Sequence, residues 1–378
     1  MSDSLRAFAR QTGNGPFYAF PRQQYEASVS HTPSRRLVIL TEGHTEPITG
    51  KTASCIIRDR PEEVVALLDS TQAGRTTQEL LGVGGATPIV ARLDDAQGAN
   101  TLMIGIAPSG GRIPPAWKSI ILDALHRGMD VISGLHEFIS STPEFVAAAA
   151  RSGAKIVDVR KNNERDVAHR LNIREECLRI HTVGQDCCVG KMLVAVELAN
   201  AMKARGVDAK FVATGQTGIL VEGDGVPIDC VVSDFVNGAI EKQVLAHQHH
   251  EMLFIEGQGS LAHPKYSAVT LGLLHGCAPH GMIMCYEAGR KAVHGMEYVE
   301  LKPLPVLVEA YEMMANLISP SAVIGVAINS RRLNDDEAAA ERERVRQELG
   351  LPACDVLRDG PDDLVQAVLS MRPEMAVR

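Results

Sequence analysis

Residues 179–206, RIHTVGQDCCVGKMLVAVELANAMKARG, place a β-branched strand, a turn bounded by Gly184 and Gly190, the residue Lys191 and an amphipathic helix in succession. Backbone N–H groups in such a turn converge on one point in front of a helix N-terminus, which favours an anion there, and the lysine adds a mobile positive charge. Gly184, Gln185, Asp186, Cys187, Cys188, Val189, Gly190, Lys191 and Met192 are therefore candidate ligand-binding residues. The usual phosphate-binding pattern continues Gly-Lys with Ser or Thr, whose hydroxyl ligates Mg²⁺, whereas Met192 stands here. That departure predicts phosphates that are held and not cleaved, as in coenzyme A, and no metal ion. Cys187 and Cys188 offer thiols for an acyl-thioester role, although small side chains also suit a crowded turn.

Other candidates fall at strand ends. The segment FIEGQGSLAHPKYS ends a strand at Glu256, whose roles would be a metal ligand or a general base for a substrate amine. His263 in the same loop is the alternative base, and Ser260 lies between the two. In SDFVNGAIEK, Asn237 and Glu241 share one helical face and would project toward a strand end, and Asp234 suits the helix N-cap. Arg290 in CYEAGR is a candidate clamp for a carboxylate, because a guanidinium matches it bidentately. Asn329, at the end of VIGVAIN, suits the edge of an adenine ring. Arg112, after the strand LMIGIAP, could face the second domain across a cleft. ITGKTAS, residues 48–54, repeats Gly-Lys-Thr without a clean strand–turn–helix context, so it reads as weak.

These residues need elements to hold them. RLVILTEG reads as a buried strand, EEVVALLDS as a helix or strand edge, and residues 101–134 as strand, loop, helix over Pro115 to Arg127, and strand. After the charged segment 161–176 the alternation restarts, with strands at Leu178 to Val183, Lys210 to Thr214, Met252 to Glu256, Gly281 to Tyr286 and Val323 to Ile328. Helices are expected at Lys191 to Arg205 and Asp336 to Leu349. Apolar strands between amphipathic helices predict parallel sheets covered on both faces. The expected division is an N-terminal arm and α/β domain over 1–165 and a second α/β domain over 166–378, as 378 residues exceed one hydrophobic core.

A net charge of −8 with no run of Lys or Arg argues against nucleic acid as a partner. No apolar stretch reaches the roughly 18 to 20 residues of a membrane span, and the first residues lack a signal-peptide core, so a cytoplasmic protein without membrane contact is expected. The eight cysteines show no CxxC pair or framework spacing and are expected as reduced thiols.

Taken in order, VGQDCCVGKM, TGQTGIL, SDFVNGAIE, EGQGSLAHP, CYEAGR and GVAINS resemble a family long catalogued as a domain of unknown function, some of whose members are D-glutamate N-acetyltransferases that use acetyl-CoA. The resemblance covers residues 36–358. It implies an N-terminal Rossmann-like domain and a C-terminal P-loop domain similar to dethiobiotin synthetase. It further implies that Asp186 and Lys191 face phosphates and ligand, Glu256 the reacting centre and Asn329 an adenine. The reading is acetyl transfer from acetyl-CoA to an acidic amino acid by a homo-oligomer, with Lys191 and the turn amides on CoA phosphates and Arg290 and Arg112 on substrate carboxylates. Glu256 or His263 would take the proton, and amides of the 257–260 loop would face the oxyanion. The alternatives are an ATP-dependent ligase or kinase of a small carboxylate, with Glu256 and Asp186 on Mg²⁺, and a nucleotide-sensing module without turnover.

Overall fold

The computed structural model describes residues 35–372 apart from 48 and 107–109. The N-terminal arm expected from the sequence lies outside the described residues.

The first sheet comprises β1 (Leu37–Leu40), β2 (Val64–Leu68), β3 (Ile89–Val90), β4 (Thr101–Ile104), β5 (Asp130–Ser133) and β6 (Ile156–Asp158) in the order β3-β2-β1-β4-β5-β6. Every pairing is parallel. Helices α1 (Lys51–Asp59), α2 (Thr77–Leu81), α3 (Lys118–His126) and α4 (Pro143–Ser152) connect the strands. Parallel neighbours need crossovers, and this order reverses direction between β1 and β4, which opens a crevice at their carboxyl ends.

Two local expectations change. The segment read as a helix or strand edge is the internal strand β2, whose Ala66, Leu67 and Leu68 are buried. The helix expected from Pro115 opens as a single 3₁₀ turn, Pro115–Trp117, closed by Trp117 N–H donating to Pro114 O, and the α-helix begins at Lys118.

The second sheet contains β7 (Leu178–Gly184), β8 (Ala209–Val212), β9 (Met252–Ile255), β10 (Gly281–Glu287), β13 (Ala322–Asn329) and β14 (Ala353–Cys354), ordered β14-β13-β10-β7-β9-β8 and again parallel. A ribbon of β11 (Ala292–Val293) and β12 (Met296–Glu300) stands apart. The helices are α5 (Lys191–Ala204), α6 (Gln216–Glu222), α7 (Val236–His247), α8 (Ser267–Cys277), α9 (Leu304–Asn316), α10 (Asp335–Leu349) and α11 (Asp362–Ser370). Here the order reverses at β7, which feeds α5 through the glycine-bounded turn.

Alternate residues of β1 serve different cores, as a strand buried on both faces must. Val38 and Leu40 pack with Trp117 and Phe145 near α3 and α4. Leu37 and Ile39 pack with Ile56 and Ile57 of α1 and with Leu220 and Val221 of α6, so this core spans both sheets' layers. Polar contacts reinforce the junction: the buried Thr52 and Thr217 hydroxyls are 3.0 Å apart, and Arg60 Nε donates to Val221 O at 2.8 Å. Residues 159–177 contain no helix or strand. Arg160 anchors this connector through three hydrogen bonds to Asp229, at 2.8, 3.1 and 3.3 Å.

All eight cysteines are free thiols, with Cys177, Cys277, Cys285 and Cys354 buried. No helix of the described residues is long and apolar enough to cross a membrane.

Candidate active site

The turn after β7 is shaped by two left-handed residues, Cys188 at φ 57° and Gly190 at φ 109°. Only glycine adopts the second without strain, and from it α5 starts directly at Lys191. The Lys191 ammonium folds back and donates to Asp186 O at 2.8 Å. Gly257 lets two segments close around its stem, since a Cβ there would lie 1.7 Å from Thr182 O and 2.9 Å from Lys191 Cδ. The Tyr311 hydroxyl donates to Gly184 O at 2.9 Å and accepts from Leu261 N–H at 3.1 Å, tying the turn to the β9–α8 loop. Ser260, expected at substrate, is buried in the same tie, donating to Gln185 O at 3.0 Å. Met192, in the first turn of α5, packs against the core of the second sheet.

Asp186 and Arg290 have work inside the protein that their sequence positions did not reveal. Asp186 is fully buried and accepts from Cys187 N–H, His294 N–H and Arg290 Nη1 at 2.7, 2.8 and 2.9 Å. Arg290 also donates to Cys187 O at 2.7 Å and pairs with Glu287, which Arg331 and Arg332 approach as well. In this structure the guanidinium expected to clamp a substrate carboxylate braces the turn instead. A solvent-open cavity of about 260 Å³ lies beside it, bounded by Gln185, Tyr286, Glu287, Arg290, Leu304 and Arg344.

Glu256 follows β9 directly and is buried. Its Oε2 accepts from Thr214 N–H at 2.8 Å and Gly215 N–H at 3.1 Å, and Oε1 accepts from Gln258 Nε2 at 3.1 Å. Burial raises its pKa to about 7 against the two backbone donors, which favour the ionised form. A Cβ on Gly218 would lie 2.3 Å from Oε2, so the helix that follows Gly215 can approach only without a side chain there.

His263 is buried, and its Nε2, 3.8 Å from Asp186 Oδ1, has no hydrogen-bond partner among the described residues. Its Nδ1 accepts Lys265 N–H at 3.2 Å, which assigns the proton of the neutral ring to Nε2. Burial lowers its pKa and keeps the ring neutral. Asp186, Cys187 and His263 offer ligand atoms within 4.8 Å of one another and could hold a metal ion. The imidazole would then have to surrender its Nε2 proton and the Lys265 contact.

Asn329 ends β13, where its backbone O accepts Ala288 N–H at 3.1 Å and Oδ1 accepts Arg331 N–H at 3.4 Å. Arg112 is exposed. Asn237 and Glu241 were expected to face a strand end. Instead Asn237 lies at the α7–α8 contact, where a Cβ on Gly272 would be 3.3 Å from its Oδ1. Buried Glu241 accepts His169 N–H and Arg170 N–H of the connector at 2.7 and 2.8 Å.

One residue rises in rank. The Gly50-Lys51-Thr52 sequence, read as lacking context, comes ten residues after β1 ends at Leu40 and opens α1 at Lys51. The Lys51 ammonium donates to Cys188 Sγ in the facing turn at 3.6 Å. The signal in the sequence was the strand RLVIL ten residues earlier; the loop was too long to read as a turn.

Comparisons with known proteins agree with this architecture. Residues 161–365 match the family model described as "Domain of unknown function (DUF1611_C) P-loop domain", and residues 70–162 match "Domain of unknown function (DUF1611_N) Rossmann-like domain". A protein of Tritonibacter scottomollicae named D-glutamate N-acetyltransferase is 36% identical over 319 residues, 83% of this chain and 93% of that protein. A protein of the same name from Pseudoalteromonas sp. is 36% identical over 269 residues, 71% of this chain and 81% of its own length. The crystal structure of a DUF1611 family protein from Anabaena variabilis is 37% identical, with a TM-score of 0.85 over 89% of this chain and 99% of that one. With both domains matched in chain order and relatives aligned over most of its length, this chain belongs to the DUF1611 family.

Proposed function

We propose that this protein transfers an acetyl group from acetyl-CoA to the amine of D-glutamate or a similar acidic amino acid. The reading rests on relatives of that name at 36% identity and on one feature of the site, the buried Glu256 carboxyl with its pKa near 7 beside a lysine-bearing turn. A general base is most effective when its pKa lies near the working pH.

In this scheme the turn amides and Lys191 hold phosphates of the acyl carrier. Glu256 takes one proton from the substrate ammonium, and the freed amine attacks the thioester carbonyl. The C–S bond then breaks, CoA leaves as its thiolate, and the second amine proton is lost to solvent or base. The two amides already directed at Glu256 keep the carboxylate oriented. Met192 in place of a hydroxyl residue, and Asp186 engaged with Arg290, disfavour the alternative of a magnesium-dependent ligase or kinase.

The test is thiol release from acetyl-CoA with D-glutamate, with L-glutamate and with no amino acid, in EDTA and in magnesium, with ATP hydrolysis followed in parallel. CoA release that requires the amino acid and survives EDTA is the expected result. ATP consumption without CoA release would sink the proposal in favour of the ligase. Loss of turnover in EDTA would implicate the Asp186, Cys187 and His263 trio.

A further inference from the structure

Two ammonium groups border the turn from opposite layers of the molecule. Lys191 belongs to α5 and donates to a backbone carbonyl; Lys51 belongs to α1 and donates to a thiol. Neither has a carboxylate partner within ion-pair distance among the described residues. Glu256 and the Cys55 and Cys187 thiols are in electrostatic reach of Lys51, but its hydrogen bond goes to the Cys188 thiol. An ammonium has three donors and is costly to desolvate without anionic partners. A thiol at 3.6 Å is a weak acceptor for it. The arrangement keeps positive charge in reserve.

The topology puts Lys51 where a ligand would meet it. It opens the helix that follows β1, beside the point where the first sheet's strand order reverses; Lys191 holds the equivalent place after β7 in the second sheet. The two layers are locked in this facing arrangement by the Thr52–Thr217 contact one residue from Lys51 and by the shared apolar core. Lys51 is thus positioned by packing and not by a flexible loop.

We infer that Lys51 is the second arm of the ligand site: when ligand is bound, its ammonium turns from the Cys188 thiol to an anionic oxygen lying between α1 and the turn. The inference rests on the reading proposed above. The oxygen can come from a carboxylate of the amino acid or a phosphate of the acyl carrier, which present the same chemistry to an ammonium. Either way the site is complete only when the N-terminal layer contributes its lysine.

The experiment compares the full-length wild type with Lys51→Met and Lys51→Arg, measuring equilibrium binding of CoA, D-glutamate and pyrophosphate by calorimetry and KM for both substrates. Lys51→Met is expected to weaken one partner about 10-fold or more, with Lys51→Arg retaining most of that binding. Weakened D-glutamate alone assigns the carboxylate, and weakened CoA and pyrophosphate assign the phosphate. Unchanged binding of all three by a folded Lys51→Met overturns the inference, as does a wild type that binds none of them. If Lys51→Met melts before it can be assayed, Lys51→Gln with Lys51→Arg as its charged control gives the same comparison. A wild type that binds these probes through Lys51 yet transfers no acetyl group would refute the acetyltransferase reading and leave the lysine's role standing.

Discussion

At the scale of single residues, Glu256 is the base of the proposed reaction, and its protonation has a readable sign. Burial raises its pKa from 4.5 to about 7, so the folded protein binds this proton more tightly than the unfolded chain does. The resulting stabilisation is full below about pH 4.5 and is lost as pH rises through about 7. A shift of this size corresponds to something on the order of 3 kcal/mol. Glu256→Gln cannot ionise, so we expect it to melt above the wild type at pH 8, with the difference closing toward pH 5. Turnover is expected to move oppositely: the wild-type kcat/KM should climb with pH and level above about 7, while the variant should lose about 10²- to 10⁴-fold and the ascending limb with it. Paired melting curves and pH–rate profiles read both effects. A variant that retained wild-type turnover would pass the role of base elsewhere, with His263 the next candidate.

At the scale of elements, the strands were legible because each is a short run of apolar residues bounded by turn or charged segments, and burial on both faces writes that pattern without interruption. The phosphate-type turn was legible for a related reason, its glycines and lysine being consecutive in the chain. Roles that depend on distant partners were not. Glu241 looked available on a helical face because nothing nearby in sequence announces that it will accept the N–H groups of His169 and Arg170, some seventy residues away. Arg290 likewise meets Asp186 across 104 positions. Gly50-Lys51-Thr52 shows no clean strand–turn–helix context in the sequence, although the fold needs only that β1 and α1 follow one another. Close approaches are similarly silent in sequence until strands pair. Gly257 is the sharpest of these, with Thr182 O lying 1.7 Å from where a Cβ would stand. Backbone cannot swing aside as a side chain does, so Gly257→Ala should lower the unfolding free energy by about 1–3 kcal/mol or more and displace the Lys191 stem. Urea denaturation measures the first effect and CoA binding the second. Wild-type values for both would mean that the β9 loop yields more easily than its packing implies.

At the scale of the whole molecule, the two sheets do not behave as independent bodies joined by a connector. Leu220 and Val221 belong to the helix that follows β8 of the second sheet, yet they are buried among Leu37, Ile39, Ile56 and Ile57 of the first. A core shared in this way couples the stability of one layer to the other, because separating them exposes apolar surface on both. Wild-type protein is therefore expected to unfold in one thermal transition. Leu220 is 3% exposed, and truncating it removes apolar contact from α1 and α6 together. Leu220→Ala should cost about 2–5 kcal/mol, as large-to-small changes in a packed core do. The same change loosens the contact that places Lys51 opposite the turn, whereas a truncation of similar size on the far side of the first sheet, Phe145→Leu near α4, leaves that contact intact. Calorimetry should accordingly show Leu220→Ala splitting or broadening the transition and losing ligand affinity more than its loss of stability alone explains, with Phe145→Leu only shifting the midpoint. Equal effects of the two variants on affinity would mean that the layers communicate through global stability and that the α1–α6 contact has no special part in assembling the site.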